Sequence, residues 1–223
     1  LFITALTVEE TGEASLAGGS FGKLSVMGSK TLASLLAPGY YFADSNSTTG
    51  EPAALYNEDK TAKTELANVT VKLCSHSGVV YNPQKGLYTC PCGQVTYAAS
   101  VTKGETTTYY ADMQEAFDAT DGGVVKVLND YISKTLTISQ NLTLDLSGKE
   151  LYSFDNVELV ITGSVTMFAD GSGTVEGSDA LAVPVTVKSG GKLTVPAKLN
   201  GVDNALTVKT RYIAGCDLVI EAG

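Results

Sequence analysis

The sequence predicts an all-β chain whose short strands stack in parallel as the coils of a β-helix. Three observations carry this reading. A three-residue unit, apolar–Thr–apolar, recurs along the chain, turn-forming clusters separate its copies, and in the C-terminal half the copies return at a near-constant interval. The unit stands at Leu6-Thr7-Val8, Val69-Thr70-Val71, Leu136-Thr137-Ile138, Leu142-Thr143-Leu144, Val165-Thr166-Met167, Val185-Thr186-Val187, Leu193-Thr194-Val195 and Leu206-Thr207-Val208, with Leu24-Ser25-Val26 as a variant. Period-two alternation with β-branched residues gives a strand with one buried and one wet face. Separators such as Asp170-Gly171-Ser172-Gly173, Ser189-Gly190-Gly191 and Asn200-Gly201 read as corners, where positive φ costs Gly or Asn little.

The spacing selects the architecture. Units pair 136 with 142 and 185 with 193, while Leu159-Val160-Ile161 leads into 165. First members begin at 136, 159, 185 and 206, in steps of 23, 26 and 21. Periods of roughly 20–50 residues mark solenoids or propellers. One step holds too few strands for a propeller blade, so a coil fits better. Each coil then sets its Leu, Val and Ile on those of the next, with outward Thr residues in ladders. A β-sandwich is the alternative, because short strands between frequent turns also suggest one.

Open coil ends expose unpaired backbone, so capping elements are expected. Asp112 with Glu115 at N3 has capping-box spacing, and Met113, Ala116, Phe117 and Thr120 share one helical face before Gly122-Gly123. A second helix-like stretch, Ser29 to Ala37, ends at Pro38-Gly39, and residues 43–63 read as an exposed polar loop. The expected organisation is a β-helical piece over 1–73, a small insert over 74–108, and a second β-helix stack over 109–223.

The insert carries the one constellation with chemistry in it. Cys74-Ser75-His76 and Cys90-Pro91-Cys92-Gly93 bring three of the four cysteines to the only histidine. Three thiolates and an imidazole are a tetrahedral set for zinc, and Asn82-Pro83 with Gly86 makes the intervening stretch a hairpin-like return. Apolar content is thin here, so a metal supplies the order that a core cannot. Cys74, His76, Cys90 and Cys92 are therefore the expected ligands of a structural zinc, four protein donors leaving no open position. A disulfide from Cys74 to Cys90 or Cys92, or free thiols, are the alternatives. Cys216 shares parity with Leu218 and Ile220 and reads as a small core hydrophobe.

Composition excludes several functions. With 15 Lys+Arg against 24 Asp+Glu, a net charge of −9 and a single Arg (Arg211), the chain has no basic stripe for nucleic acid and no multi-Arg clamp. No apolar run is long enough for a membrane-spanning helix. The start, Leu1 to Leu6, lacks a basic leader pattern and reads as a strand, so the chain is expected to be a piece of a longer protein. Acids such as Asp145, Asp155, Glu158, Asp170, Glu176 and Asp179 are scattered, and the lone His is claimed by the cysteines, so no catalytic set is expected. Binding has better footing. Tyr40, Tyr41, Tyr56, Tyr81, Tyr88, Tyr109 and Tyr110 fall in or near loops, where rings stack on sugars or form a protein-binding patch.

The run Tyr110-Ala111-Asp112-Met113-Gln114-Glu115-Ala116-Phe117-Asp118-Ala119, then Gly122-Gly123, then Leu136-Thr137-Ile138 and the stretch Asn141 to Lys149, resembles the opening of pectate-lyase-like right-handed β-helices. More narrowly, it resembles β-helical modules of large cell-surface proteins of Gram-positive bacteria, gut Firmicutes especially. Gly18-Gly19-Ser20-Phe21 with residues 35–42 is similar to their coil-and-cap segments. The resemblance implies a right-handed coil, an extracellular place on a bacterial surface, and a role in adhesion or host-ligand binding. Host protein or glycan is the implied partner, immunoglobulin or mucin among the candidates. A carbohydrate-active β-helix enzyme (lyase or hydrolase) and a rigid structural stalk are the alternative functions.

Overall fold

Strands account for nearly all regular structure in the computed structural model, which describes residues 1–147, 149–154, 156–168, 180–196, 207–211 and 217–221. The protein is all-β, and the chain divides into two units, Leu1–Thr96 and Tyr97–Gly223.

In the first unit, β1 (Phe2–Val8), β2 (Ser20–Val26), β3 (Tyr40–Asp44) and β4 (Glu65–Leu73) form one sheet in the order β1-β2-β4-β3. β1 and β2 run parallel, with Phe2 opposite Ser20 and Val8 opposite Val26. β4 runs antiparallel to both β2 and β3, so this sheet is mixed where an all-parallel coil was expected over 1–73. The apolar–Thr–apolar unit sets which face is buried but carries no direction. The chain reverses through residues 45–64, and a reversed strand pairs antiparallel. Phe21, Leu24, Leu32, Leu35, Phe42 and Val69 centre the core.

The helix-like stretch before Pro38 is one 3-10 turn, Leu32–Leu35, capped by the Thr31 side chain accepting from the Ser34 N–H at 3.3 Å. Leu36 already has extended backbone, φ −85 and ψ 136. Pro38 disfavours helical backbone at Ala37, which leaves too little length for a helix. The exposed loop expected over 43–63 begins later: Ala43 and Asp44 belong to β3, Ala43 is buried, and within the irregular stretch that follows Ala53 and Leu55 pack on the core. A short hairpin follows, β5 (Val80–Asn82) against β6 (Leu87–Thr89).

The second unit contains β7 (Ala99–Lys103), β8 (Thr106–Tyr110), helix α1 (Met113–Asp118), β9 (Val124–Val127), β10 (Leu136–Ile138), β11 (Leu142–Asp145), β12 (Glu150–Leu151), β13 (Leu159–Ile161), β14 (Ser164–Phe168), β15 (Ala180–Val187), β16 (Lys192–Pro196), β17 (Thr207–Arg211) and β18 (Asp217–Glu221). The chain alternates between two sheets. One runs β10-β13-β15, with β12 and β17 also on β15, and the other β8-β7-β9-β11-β14-β16-β18. Among the described residues, β9 pairs antiparallel with β7, and every pairing between strands β9 to β18 is parallel.

The sequence period appears directly as register. Leu136, Leu159 and Val185 form one column, and Leu142, Val165, Leu193 and Leu218 another. Thr143, Thr166 and Thr194 align in the column next to the second. The last step differs: Val185 pairs with Thr210, and the register shifts between Leu181 and Val185. Side chains of the first column, with Ile138, Leu144, Ile161 and Met167, are buried in one core.

Helix α1 closes one edge of this arrangement. Asp112 caps it as expected, its carboxylate accepting from the Gln114 N–H at 2.7 Å, and Met113, Ala116 and Phe117 are buried. Gln114 does more than the sequence suggests. Its amide donates to the Thr137 carbonyl at 2.7 Å and accepts from the Thr137 N–H at 2.8 Å. β10 is the end strand of its sheet, so one side chain supplies what a preceding strand would have supplied. The first edge of the other sheet is closed by the antiparallel β7–β8 hairpin.

Gly163 sits at a corner where the segment Ser139–Gln140 passes so close that a Cβ would overlap the carbonyl oxygens of Gln140 and Ser139. Gly163→Ala is expected to destabilise the second unit by about 1–3 kcal/mol through forced backbone shifts, read as a lower urea midpoint at unchanged slope. Gln114→Leu keeps the helix but leaves the Thr137 N–H and C=O unpaired. Its expected cost is about 1–3 kcal/mol, with the Thr137 amide losing hydrogen-exchange protection before its neighbours Leu136 and Ile138.

Candidate metal centre

Two tight turns build the centre. Cys74 follows β4, and its N–H donates to the Gly39 carbonyl at 2.8 Å. Two residues on, His76 adopts φ 59, a left-handed conformation uncommon outside Gly, Asn and Asp. At that reversal the Cys74 sulfur accepts from the His76 N–H at 3.4 Å. Cys90 follows β6 directly. Its carbonyl accepts from the Gly93 N–H at 2.8 Å, closing a turn over Pro91 and Cys92 in which Gly93 takes φ 75. The Cys90 sulfur accepts from the Val95 N–H at 3.3 Å.

The β5–β6 hairpin returns the second pair to the first. Its turn is fixed by Asn82, whose Oδ1 accepts from the Gln84 and Lys85 N–H groups at 3.1 Å each. The four donor atoms of Cys74, His76, Cys90 and Cys92 lie within 4.8 Å of one another. Nδ1 of His76 is 3.3 Å from Cys90 Sγ and 3.5 Å from Cys92 Sγ, and those two sulfurs are 3.3 Å apart. No disulfide joins Cys74, Cys90 or Cys92. A tetrahedral ion with ordinary metal–sulfur and metal–nitrogen bonds holds its donors about 3.5–3.8 Å apart. The four residues are therefore close enough to bind one metal ion. Cys216 lies outside the described residues.

Electrostatics point the same way. Burial pushes the Cys90 thiol up, but hydrogen bonds from His76, the Val95 N–H and Cys92 outweigh it and hold Cys90 at about 6. Cys92 is pushed up to about 12, by burial first and then by the neighbouring Cys90 and Cys74 sulfurs, against the Gln94 N–H. Sulfurs this close cannot all be anionic without a cation between them. A divalent ion removes the conflict, because each thiolate then faces positive charge.

Beside this centre lies a cleft of about 450 Å³, entirely within the first unit. Cys92 belongs to both the ligand set and the cleft wall, as neighbour of Pro91, Gly93 and Gln94. Of the seven tyrosines singled out in the sequence, Tyr40, Tyr56 and Tyr81 line it. Tyr88 stands behind Tyr81, directly opposite on the hairpin, with ring centroids 5.0 Å apart. Tyr41 donates its hydroxyl to the Gly50 carbonyl at 3.2 Å. Tyr109 packs on Tyr97 at 5.7 Å, and Tyr110 against the core, both in the second unit. Sequence reasoning missed Asn57, Asn82 and Gln94, which also line the cleft.

It also missed an aromatic group on the second unit. Tyr131, Tyr152 and Phe154 have centroids 5.4–6.0 Å apart, and Phe154 is 87% exposed. Tyr131 and Tyr152 form a parallel bridge, so the repeat interval of the sequence was the signal that could have found them. Among the acids weighed in the sequence, Asp145 is buried, accepting from the Ser147 N–H, and Glu158 accepts from the Thr186 hydroxyl. Asp155, Asp170, Glu176 and Asp179 lie outside the described residues.

No family model, curated protein or solved structure matches the chain. No described helix is long and apolar enough to cross a membrane.

With metal removed, the ion-free centre is expected to hold Cys90 as thiolate at neutral pH and Cys92 as thiol. Because Cys90 is lowered, the stability it contributes is present above its ordinary thiol range, near pH 9, and lost as pH falls through about 6. Ultraviolet thiolate absorbance of the metal-free protein checks this. The change near pH 6 should vanish in Cys90→Ser and persist in Cys92→Ser.

Proposed function

We propose that the chain is a non-catalytic binding module of an extracellular bacterial surface protein, with a structural zinc ion on Cys74, His76, Cys90 and Cys92. In this reading the second unit is a right-handed β-helix, and the module contacts a host protein, immunoglobulin among the candidates, or a glycan. The observation that carries the proposal is the tyrosine-lined cleft built against the four-donor centre.

Zinc fits the donor set better than harder cations do, since thiolate and imidazole suit a borderline-soft ion. Four protein ligands complete its shell, so the ion has no open position for substrate and acts on structure. The coil reading is supported by the parallel columns at the sequence period. Binding is favoured over catalysis because no Asp, Glu, His, Lys or Arg side chain lines the cleft. Acid–base chemistry needs a pair of titrating groups within reach of one another, and the single titrating group here besides the tyrosines is Cys92, assigned to the metal.

Metal and cleft are linked through Cys92 and the turn that carries it. The purified chain is expected to hold one zinc per molecule by elemental analysis. Chelation, or Cys74→Ser, should unfold the hairpin at residues 80–89 while the second unit keeps its hydrogen-exchange protection. Saturable binding to immunoglobulin or mucin should fall with the metal. Conversion of a polysaccharide, abolished by substitution of an acid, would overturn the binding reading.

A further inference from the structure

The cleft has a chemical character more specific than a general binding surface. Apart from Cys92, whose charge the metal takes up, its wall contains no Asp, Glu, His, Lys or Arg side chain, although the chain as a whole carries a net charge of −9. Nothing in it compensates a carboxylate, sulfate or phosphate, or an ammonium group, and burying such a charge unpaired is costly. Such a wall suits a neutral molecule.

Two kinds of group face that occupant. Tyr40, Tyr56 and Tyr81 present aromatic rings. Tyr81, 47% exposed at the hairpin, is braced from behind by Tyr88. Rings with one apolar face and one polar tip suit a ligand that is itself amphipathic.

The side-chain amides add direction. Asn82 has its oxygen engaged by the Gln84 and Lys85 N–H groups, so its orientation is set and its Nδ2 is left as donor. Asn57 is set the other way. Its Nδ2 donates to the Thr61 hydroxyl at 3.0 Å, which leaves its Oδ1 as acceptor. One amide thus offers a hydrogen and the other a lone pair, each held by its own turn before any ligand arrives. A hydroxyl group donates and accepts at once, and a molecule with several hydroxyls on a ring uses both.

We infer that the cleft takes a neutral saccharide unit, an uncharged sugar ring at the end of a glycan, its C–H face on the tyrosine rings and its hydroxyls on Asn57 and Asn82. This rests on the binding-module reading above and gives that site its ligand class. A proline-rich peptide also uses tyrosine-lined grooves. It is disfavoured because an extended peptide needs a groove several residues long, whereas a cleft of about 450 Å³ is closer to the scale of one or two rings.

The test uses the intact zinc-loaded chain on an array of glycans ending in neutral hexoses or N-acetylhexosamines, alongside uronate- and sulfate-terminated glycans and a proline-rich peptide. Affinities then follow by calorimetry for the wild type, Tyr81→Ala and Asn82→Asp. The Asp variant keeps the oxygen that holds the turn and loses the donor. Zinc content reports whether each variant still folds. The expected result is saturable binding of a neutral glycan, weakened about tenfold or more in both variants with zinc retained.

Preference for acidic glycans or for the peptide would overturn the inference, as would neutral-glycan binding untouched by either substitution. Phe154→Ala tests the exposed aromatic group of the second unit. If it abolishes glycan binding while Tyr81→Ala does not, the site has been misplaced and the inference fails. Immunoglobulin binding insensitive to Tyr81→Ala, with no glycan bound, would defeat the saccharide assignment alone. Binding of no glycan, peptide, immunoglobulin or mucin would defeat the module reading with it.

Discussion

The backbone ladder between parallel strands one sequence repeat apart is the interaction on which the second unit depends. A strand of three to five residues buries too little surface to stand alone. It persists because its N–H and C=O groups are taken up by the strand before and the strand after, in the same register each time. That arrangement settles the interior of the stack and leaves its first edges open. Their closure takes two forms. The strand pair β7–β8 meets one sheet with ordinary antiparallel pairing, and a single glutamine amide on α1 meets the other at Thr137. A side-chain amide has the donor and acceptor of a peptide group, which is why Gln114 can stand in for backbone.

The same ladder explains where glycine is required. Parallel strands in register bring one connection against the backbone of another, and at Gly163 the carbonyls of Ser139 and Gln140 leave no room for a Cβ. This demand arises from close approach and not from backbone dihedral freedom. Substituting there disturbs two segments together, because the residue that moves and the carbonyls it moves against belong to different stretches of the chain.

Much of this was legible before the structure, and the exceptions have a common cause. The columns Leu136–Leu159–Val185 and Leu142–Val165–Leu193 could be read because the period and the apolar pattern are written in the chain. Cys74, His76, Cys90 and Cys92 could be read because metal-ligand chemistry is confined to few residue types and both pairs are local. The direction of β4 could not, since alternation is the same read forward or backward. Nor could the cleft. Tyr40, Tyr56 and Tyr81 come from three segments, and nothing at any one position distinguishes a tyrosine that lines it from Tyr41, which turns to Gly50. The hydrogen bonds that orient Asn57 and Asn82 are local, but their convergence on one space is tertiary.

The metal centre and the ladder solve the same physical problem in different parts of the chain. In the second unit, order comes from repetition: each strand is templated by the parallel strand beside it and buries apolar side chains in a shared core. The stretch from Cys74 to Gly93 has no neighbour of its own kind, and its strands are three residues each. Hydrophobic burial cannot fix it, because Val80, Leu87 and the tyrosines are only partly covered or exposed. Four donors converging within 4.8 Å can, since metal coordination energy becomes folding energy when the site exists only in the folded chain. The consequence reaches the cleft. A wall made by a short hairpin would ordinarily fluctuate, and a ligand would have to bear the entropy of ordering it. Under the proposed function, a metal on Cys90 and Cys92 at the foot of that hairpin would order Tyr81 and Asn82 in advance, so binding energy would be kept for the ligand instead of being spent on the loop.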